Sequence, residues 1–139
     1  MSNIHQEVVF PASPSRIYEV LLDANQFSAL SGGAPAEIST EAGGTFSCFG
    51  GMVSGRNVEL IPNQRIVQEW RAKPWGNGVY SIVKFELRQE GSETRVIFDH
   101  AGFPPEQQEH LEGGWHTNYW EPLRKHLACS RTSEINATK

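Results

Sequence analysis

Ile4, Gln6, Val8 and Phe10 alternate with His5, Glu7 and Val9 at the start of the chain. That period of two is the pattern of a strand with one buried face. Pro11 and Pro14 end it. Ser13 offers a side-chain oxygen to the first free N–H groups of a helix, and Pro14 at the next position has no N–H to lose. Ile17, Val20, Leu21 and Leu22 then supply the apolar stripe of a helix closing near Asp23. The looser stretch 25–35, with Gly32-Gly33, is expected to connect that helix to a sheet. From 36 to 102 the pattern predicts strands at 36–41, 44–49, 53–61, 65–72, 78–90 and 94–101. Gly43-Gly44, Gly50-Gly51, Pro62-Asn63, Gly76-Asn77-Gly78 and Gly91-Ser92 supply the turn chemistry between them. Connections this short make each neighbouring pair an antiparallel hairpin. Val79, Ser81, Val83, Phe85 and Leu87 are expected on one inner face, as are Thr94, Val96, Phe98 and His100.

Pro104-Pro105 closes the sheet region and opens a helix over 106–128, acidic in its first turn and basic near its end, as the helix dipole favours. At about 100° per residue, Leu111, Trp115, Tyr119, Trp120, Leu123 and Leu127 share a half-circle, with His116 inside the arc. Gly113-Gly114 costs helix propensity, so a close backbone approach or a bend is expected there. The order strand, helix, six strands, long helix predicts an α+β fold. A long helix with a wide aromatic stripe needs a concave apolar partner, and a twisted antiparallel sheet provides one. Residues 1–129 are read as one domain and 130–139 as a polar tail.

Composition narrows the function classes. Hydrophobic residues make up 38%, and no apolar run approaches a membrane span. The first residues show no leader pattern, which predicts a cytoplasmic protein. A net charge of −4, from 12 basic and 16 acidic residues, argues against nucleic acid as a partner. Cys48 and Cys129 lack metal-ligand spacing and read as reduced thiols. Asn136-Ala137-Thr138 matches a glycosylation acceptor, which carries no meaning without secretion.

An ordered series of residues also carries a family resemblance. Gly43-Gly44 with Phe46 comes first, then Val53-Ser54-Gly55, then Leu60-Ile61-Pro62 with Arg65-Ile66-Val67 and Trp70-Arg71. Thr94-Arg95-Val96, Gly114-Trp115 and Tyr119-Trp120 complete it. The series, spanning roughly 8–127, resembles the SRPBCC (START-like) superfamily, and within it the activator of heat-shock protein 90 ATPase homologue family. The best match is to the C-terminal domain of that co-chaperone. The resemblance implies a helix-grip fold, a curved antiparallel sheet packed on a long C-terminal helix. It also implies a sheet–helix cavity, which in the superfamily takes lipids, hormones or polyketide-like molecules. The co-chaperone's N-terminal domain, tied to ATPase stimulation, has no counterpart in these 139 residues, so activation does not follow from the resemblance.

Little catalytic chemistry is visible. His110, His116 and His126 lie six and ten residues apart on one predicted helix, a spacing that does not make a metal site. Adjacent Asp99 and His100 point to opposite faces of a strand and cannot form a dyad. Glu112 and His116, at i,i+4, read as surface partners. No nucleophile elbow or phosphate-binding loop is present, so no cofactor is expected. The first expectation is a non-catalytic module that holds a small apolar or amphipathic molecule. Trp70, Phe85, Phe98, His100, Trp115, His116 and Tyr119 are its candidate ligand-binding residues. The histidines serve either as polar handles or as satisfied core-edge groups. A chaperone-associated interaction domain is the alternative, and a cyclase- or hydrolase-like enzyme using the same cavity is the third. Trp75, on a Pro/Gly loop, either marks a lid or protein contact or folds back onto the sheet.

Overall fold

The computed structural model describes residues 3–76 and 78–128. Asn77 of one predicted turn, Cys129, and the predicted tail with its Asn136 acceptor lie outside them. β1 (Asn3–Phe10) leads into α1 (Pro14–Leu22). Ser13 caps α1 as predicted, its hydroxyl accepting from the Arg16 N–H at 3.2 Å, and Ile17, Val20, Leu21 and Leu22 are buried. The stretch expected to be a connector holds a second helix, α2 (Ala24–Leu30), capped by Asp23. Phe27 is its buried residue, and it packs edge-on against Phe49 and Tyr119.

Six further strands follow: β2 (Glu37–Ile38), β3 (Thr45–Cys48), β4 (Val53–Ile61), β5 (Arg65–Ala72), β6 (Ser81–Glu90) and β7 (Glu93–Ala101). They join β1 in one seven-stranded sheet of order β1-β7-β6-β5-β4-β3-β2. Every pair is antiparallel, including β1 with β7. Hairpin connections explain most of this order. Ser81, Val83, Phe85 and Leu87 of β6 and Thr94, Val96, Phe98 and His100 of β7 are all buried, as their alternation requires. The outer face carries ion pairs instead: Arg65 with Glu59 and Glu86, Arg95 with Glu7 and Glu90, His5 with Asp99. Such exposed pairs keep that face wet more than they stabilise the fold.

Two local features bend the sheet over its core. Gly55 lies between Phe46 and Trp70 on neighbouring strands, and a Cβ there would fall 1.8 Å from the Glu69 carbonyl oxygen. Only glycine permits that approach. The register then shifts between Asn57 and Glu59, a bulge that turns Val58 outward. Asn57, fully buried, anchors it by donating to the Ser39 carbonyl and accepting from Gln68.

A short turn (Pro105–Gln107) opens the C-terminal helix, whose first part is α3 (Gln108–Trp115). His116–Trp120 form a π turn, with the Glu121 N–H donating to the His116 carbonyl, and residues 121–128 continue as helix. Opening the spacing to five residues brings Trp120 back over Trp115, their rings stacked at 6.0 Å. Gly113 and Gly114 sit just before this irregularity. Neither makes the expected close backbone approach; Cβ atoms there would meet nothing within 4 Å and the Asn118 amide at 3.6 Å. The helix also covers the β1 side of the sheet: Gln108 donates to the Asn3 carbonyl, Arg124 to the Val9 carbonyl, and Trp120 to Gln6. Among the described residues, no helix is long and apolar enough to cross a membrane.

Candidate functional site

Antiparallel connectivity brings three loops to one end of the sheet. The β3–β4 turn at 49–52, the β5–β6 loop at 73–80 and the approach to the C-terminal helix at 102–107 all emerge there. Between them lies a cavity of about 320 Å³. The sheet contributes Val53, Trp70 and Ala72, and the loops contribute Phe49, Met52, Pro74 and Trp75. The helix contributes Leu111, Gly114, Trp115 and Tyr119, with Gln107, His110 and Asn118 as the polar wall groups. No Asp, Glu, Lys or Arg among the described residues forms part of this wall. Met52, 48% exposed, marks the rim.

Of the candidate ligand-binding residues, Trp70, Trp115 and Tyr119 line this cavity. Phe85, Phe98 and His100 do not; they form the packed aromatic layer behind it, with Phe98 4.2 Å from Trp115 between ring centroids. His116 is exposed, which corrects its placement inside the apolar arc. The π turn carries its extra residue on the outer side, where His116 and Thr117 face solvent, and Asn118 is exposed at the mouth of the cavity. Trp75 is corrected too. It is only 7% exposed and folds back edge-on against Trp70 at 5.7 Å, so Trp75 itself is not presented to a protein partner. Its backbone is held by the Trp75 N–H to the Ala72 carbonyl and by Arg71 donating to the Trp75 carbonyl at 2.6 Å. Sequence reasoning missed Phe49, Met52, Pro74, Leu111 and Gly114. Hairpin parity holds the missing signal, because it places 49–52 and 73–80 at the same sheet end.

His100 is a structural group. Trp115 Nε1 donates to its Nδ1 at 3.0 Å, so the ring proton sits on Nε2. That Nε2–H donates to Ser81 Oγ at 2.7 Å, and the Ser81 hydroxyl donates to the Trp70 carbonyl at 2.9 Å. Every donor in this chain has its acceptor, and the chain ties the helix to β7, β6 and β5. Burial pushes the His100 pKa down to about 3, so the ring is neutral at physiological pH. Burial likewise pushes the Cys48 thiol up to about 12 and raises the Tyr119 hydroxyl, with Cys48 close by. Cys48 is therefore a protonated core thiol and not a nucleophile.

Two donors in the cavity wall are left over. The indole N–H groups of Trp70 and Trp75 are buried without a hydrogen-bond partner. Trp70 Nε1 lies near the Tyr119 hydroxyl, close enough to favour its anion yet outside hydrogen-bond geometry. An unmet buried donor costs about 1–3 kcal/mol. Both belong to cavity walls.

The sequence profile of the family described as "Activator of Hsp90 ATPase homolog 1-like protein" matches residues 11–128. The chain belongs to that family. The human "Activator of 90 kDa heat shock protein ATPase homolog 1" is 29% identical to this family member over 116 residues, 84% of this chain and 34% of the human protein. The Dictyostelium discoideum homologue is 33% identical over 122 residues, 87% of this chain and 32% of that protein. The chain thus spans about a third of the length of the curated relatives it matches. An HSP90 activator from Plasmodium falciparum superposes with a TM-score of 0.85 at 24% identity, covering 92% of this chain and 97% of that one. The Colwellia psychrerythraea Aha1 dimer gives 0.75 at 20% identity, covering 89% and 94%. These structures share the helix-grip fold predicted from the sequence.

Proposed function

We propose that this family member is a cytoplasmic, non-catalytic binding module that holds a small apolar or amphipathic molecule in the cavity at the loop end of the sheet. The cavity of about 320 Å³, walled mainly by aromatic and aliphatic side chains, is the observation that carries the reading. Its size falls at the lower end of ligand pockets, about 300–1,000 Å³, and a few polar groups in an apolar wall are their usual lining. A non-catalytic role is supported by His100, which is neutral, fully hydrogen-bonded and outside the cavity wall. An environment-sensitive apolar dye such as Nile red should bind with one-to-one stoichiometry. Gly114→Leu, which fills the cavity from a helical position whose Cβ would make only ordinary contact with the Asn118 amide at 3.6 Å, should abolish binding, whereas Gly113→Ala should not. A wild-type protein that takes up no dye and carries no ligand in native mass spectrometry would refute the reading.

A second reading rests on the relatives, whose names describe activators of a heat-shock protein ATPase. In it the domain associates with a 90 kDa heat-shock chaperone through its surface. Adding the purified domain to such a chaperone and measuring association and ATPase rate tests this. An unchanged rate with no complex in sedimentation would remove it.

A further inference from the structure

Resting on the ligand-binding reading above, we infer that the cavity selects an uncharged molecule of about two fused rings that carries a hydrogen-bond acceptor. Three observations converge. The first is size: an apolar cavity of about 150 Å³ accommodates one benzene ring, so about 320 Å³ accommodates two. The indole rings of Trp70, Trp75 and Trp115, edge-on in one pair and tilted in the other, suit a flat ring system better than a flexible tail.

The second is charge. Among the described residues, no Asp, Glu, Lys or Arg contributes to the wall. Arg71, the cation nearest in sequence to Trp70, is committed to the Trp75 carbonyl and lies over the Tyr80 ring. A carboxylate or ammonium head inside the cavity would be buried without a counterion, which is far costlier than burying a neutral carbonyl. A fatty acid or other anionic amphipath would have to keep its head group out at the rim, where Met52 is exposed.

The third is the pair of unpartnered indole N–H groups on Trp70 and Trp75. The protein has four tryptophans. Trp115 and Trp120 give their N–H protons to His100 and Gln6. The two left without acceptors are both cavity-wall residues. Neither indole N–H has an acceptor in hydrogen-bond geometry, although Trp70 Nε1 lies near the Tyr119 hydroxyl. A ligand carbonyl or ether oxygen supplies the missing acceptor.

Three probes of one shape separate the terms: naphthalene, 2-acetylnaphthalene and 2-naphthoate, titrated by calorimetry and by ¹H–¹⁵N NMR of the indole N–H signals. The ketone should bind most tightly. The carboxylate should bind weaker than the ketone by about a hundredfold or more. The Trp70 and Trp75 indole signals should shift, those of Trp115 and Trp120 much less. In Trp75→Phe and Trp70→Phe, which keep a ring but lose the donor, the ketone's advantage over naphthalene should shrink while naphthalene binding persists. Carboxylate affinity equal to the ketone's overturns this inference and leaves the cavity reading standing. The same holds if the ketone has no advantage, or if the Trp115 or Trp120 signals respond instead. Failure of all three probes to bind overturns both.

Discussion

Replacing His100 with glutamine converts a titrating core group into a neutral one, and its effect on the pH dependence of stability follows from the structure. The folded His100 has a pKa of about 3 because the ring is buried. In the unfolded chain it titrates near 6.5. Between those values the unfolded state binds a proton that the folded state refuses, so stability rises with pH across the window and is fully present above about 6.5. Protonating the folded ring would set an Nδ1–H against the Trp115 N–H, donor against donor. From pH 7.5 to pH 4, roughly 2.5 units of this shift are felt, so wild-type protein should lose about 3 kcal/mol through this residue alone. Urea unfolding at several pH values measures it. Glu7 and Glu90, lowered by His5 and Arg95, also cost stability as pH falls; His5, raised by Asp99 and Glu7, acts in the opposite direction. All three are common to both proteins and cancel in the difference. The offset between His100→Gln and wild type should therefore shrink or reverse by about 3 kcal/mol on acidification. Parallel curves across the range would refute the neutral-ring assignment.

Trp115, 2% exposed and packed on Phe98 and Tyr119, should cost about 3–5 kcal/mol on truncation to alanine, measured by chemical denaturation; a loss below ~1 kcal/mol would contradict its place in the core. Gly113→Ala should stabilise by about 0.5–1 kcal/mol in thermal melts, since it adds helix propensity in open space. Gly55→Ala should fail to give a cooperative transition or lose several kcal/mol, because its Cβ would sit 1.8 Å from the Glu69 carbonyl oxygen.

The elements legible in the sequence were those whose stability is local. Ser13-Pro14 announced α1, and alternation placed β4 and β5 at their observed bounds. α2 was missed because its seven residues bury only Phe27; the Asp23 cap and the rings of Phe49 and Tyr119 hold it. The bulge at Val58 and the π turn at His116–Trp120 each insert one residue into a regular period, which no single period can announce. At the site, Trp70 sits on a regular inner strand face and Trp115 on the apolar stripe of α3, while Tyr119 lies inside the π turn. Phe98 and His100 share that face, yet the depth at which core gives way to cavity depends on how the loops close. Trp75 turned inward for the same reason: its partner, Trp70, is a tertiary neighbour.

The pairing of β1 with β7 has a consequence for how the chain is made. About ninety residues separate the two strands, so β1 leaves the ribosome long before its partner exists. At typical elongation rates that interval is roughly 5–20 s. During it, Ile4 and Phe10 have no sheet to enter, and the helix whose side chains reach Asn3 and Val9 is still later in the sequence. His5 and Glu7, alternating with the apolar positions, keep the waiting segment polar on one side and discourage strand addition between nascent copies. Sheet closure is thus a late event, with β2–β7 able to form as successive hairpins before β1 docks on their last strand.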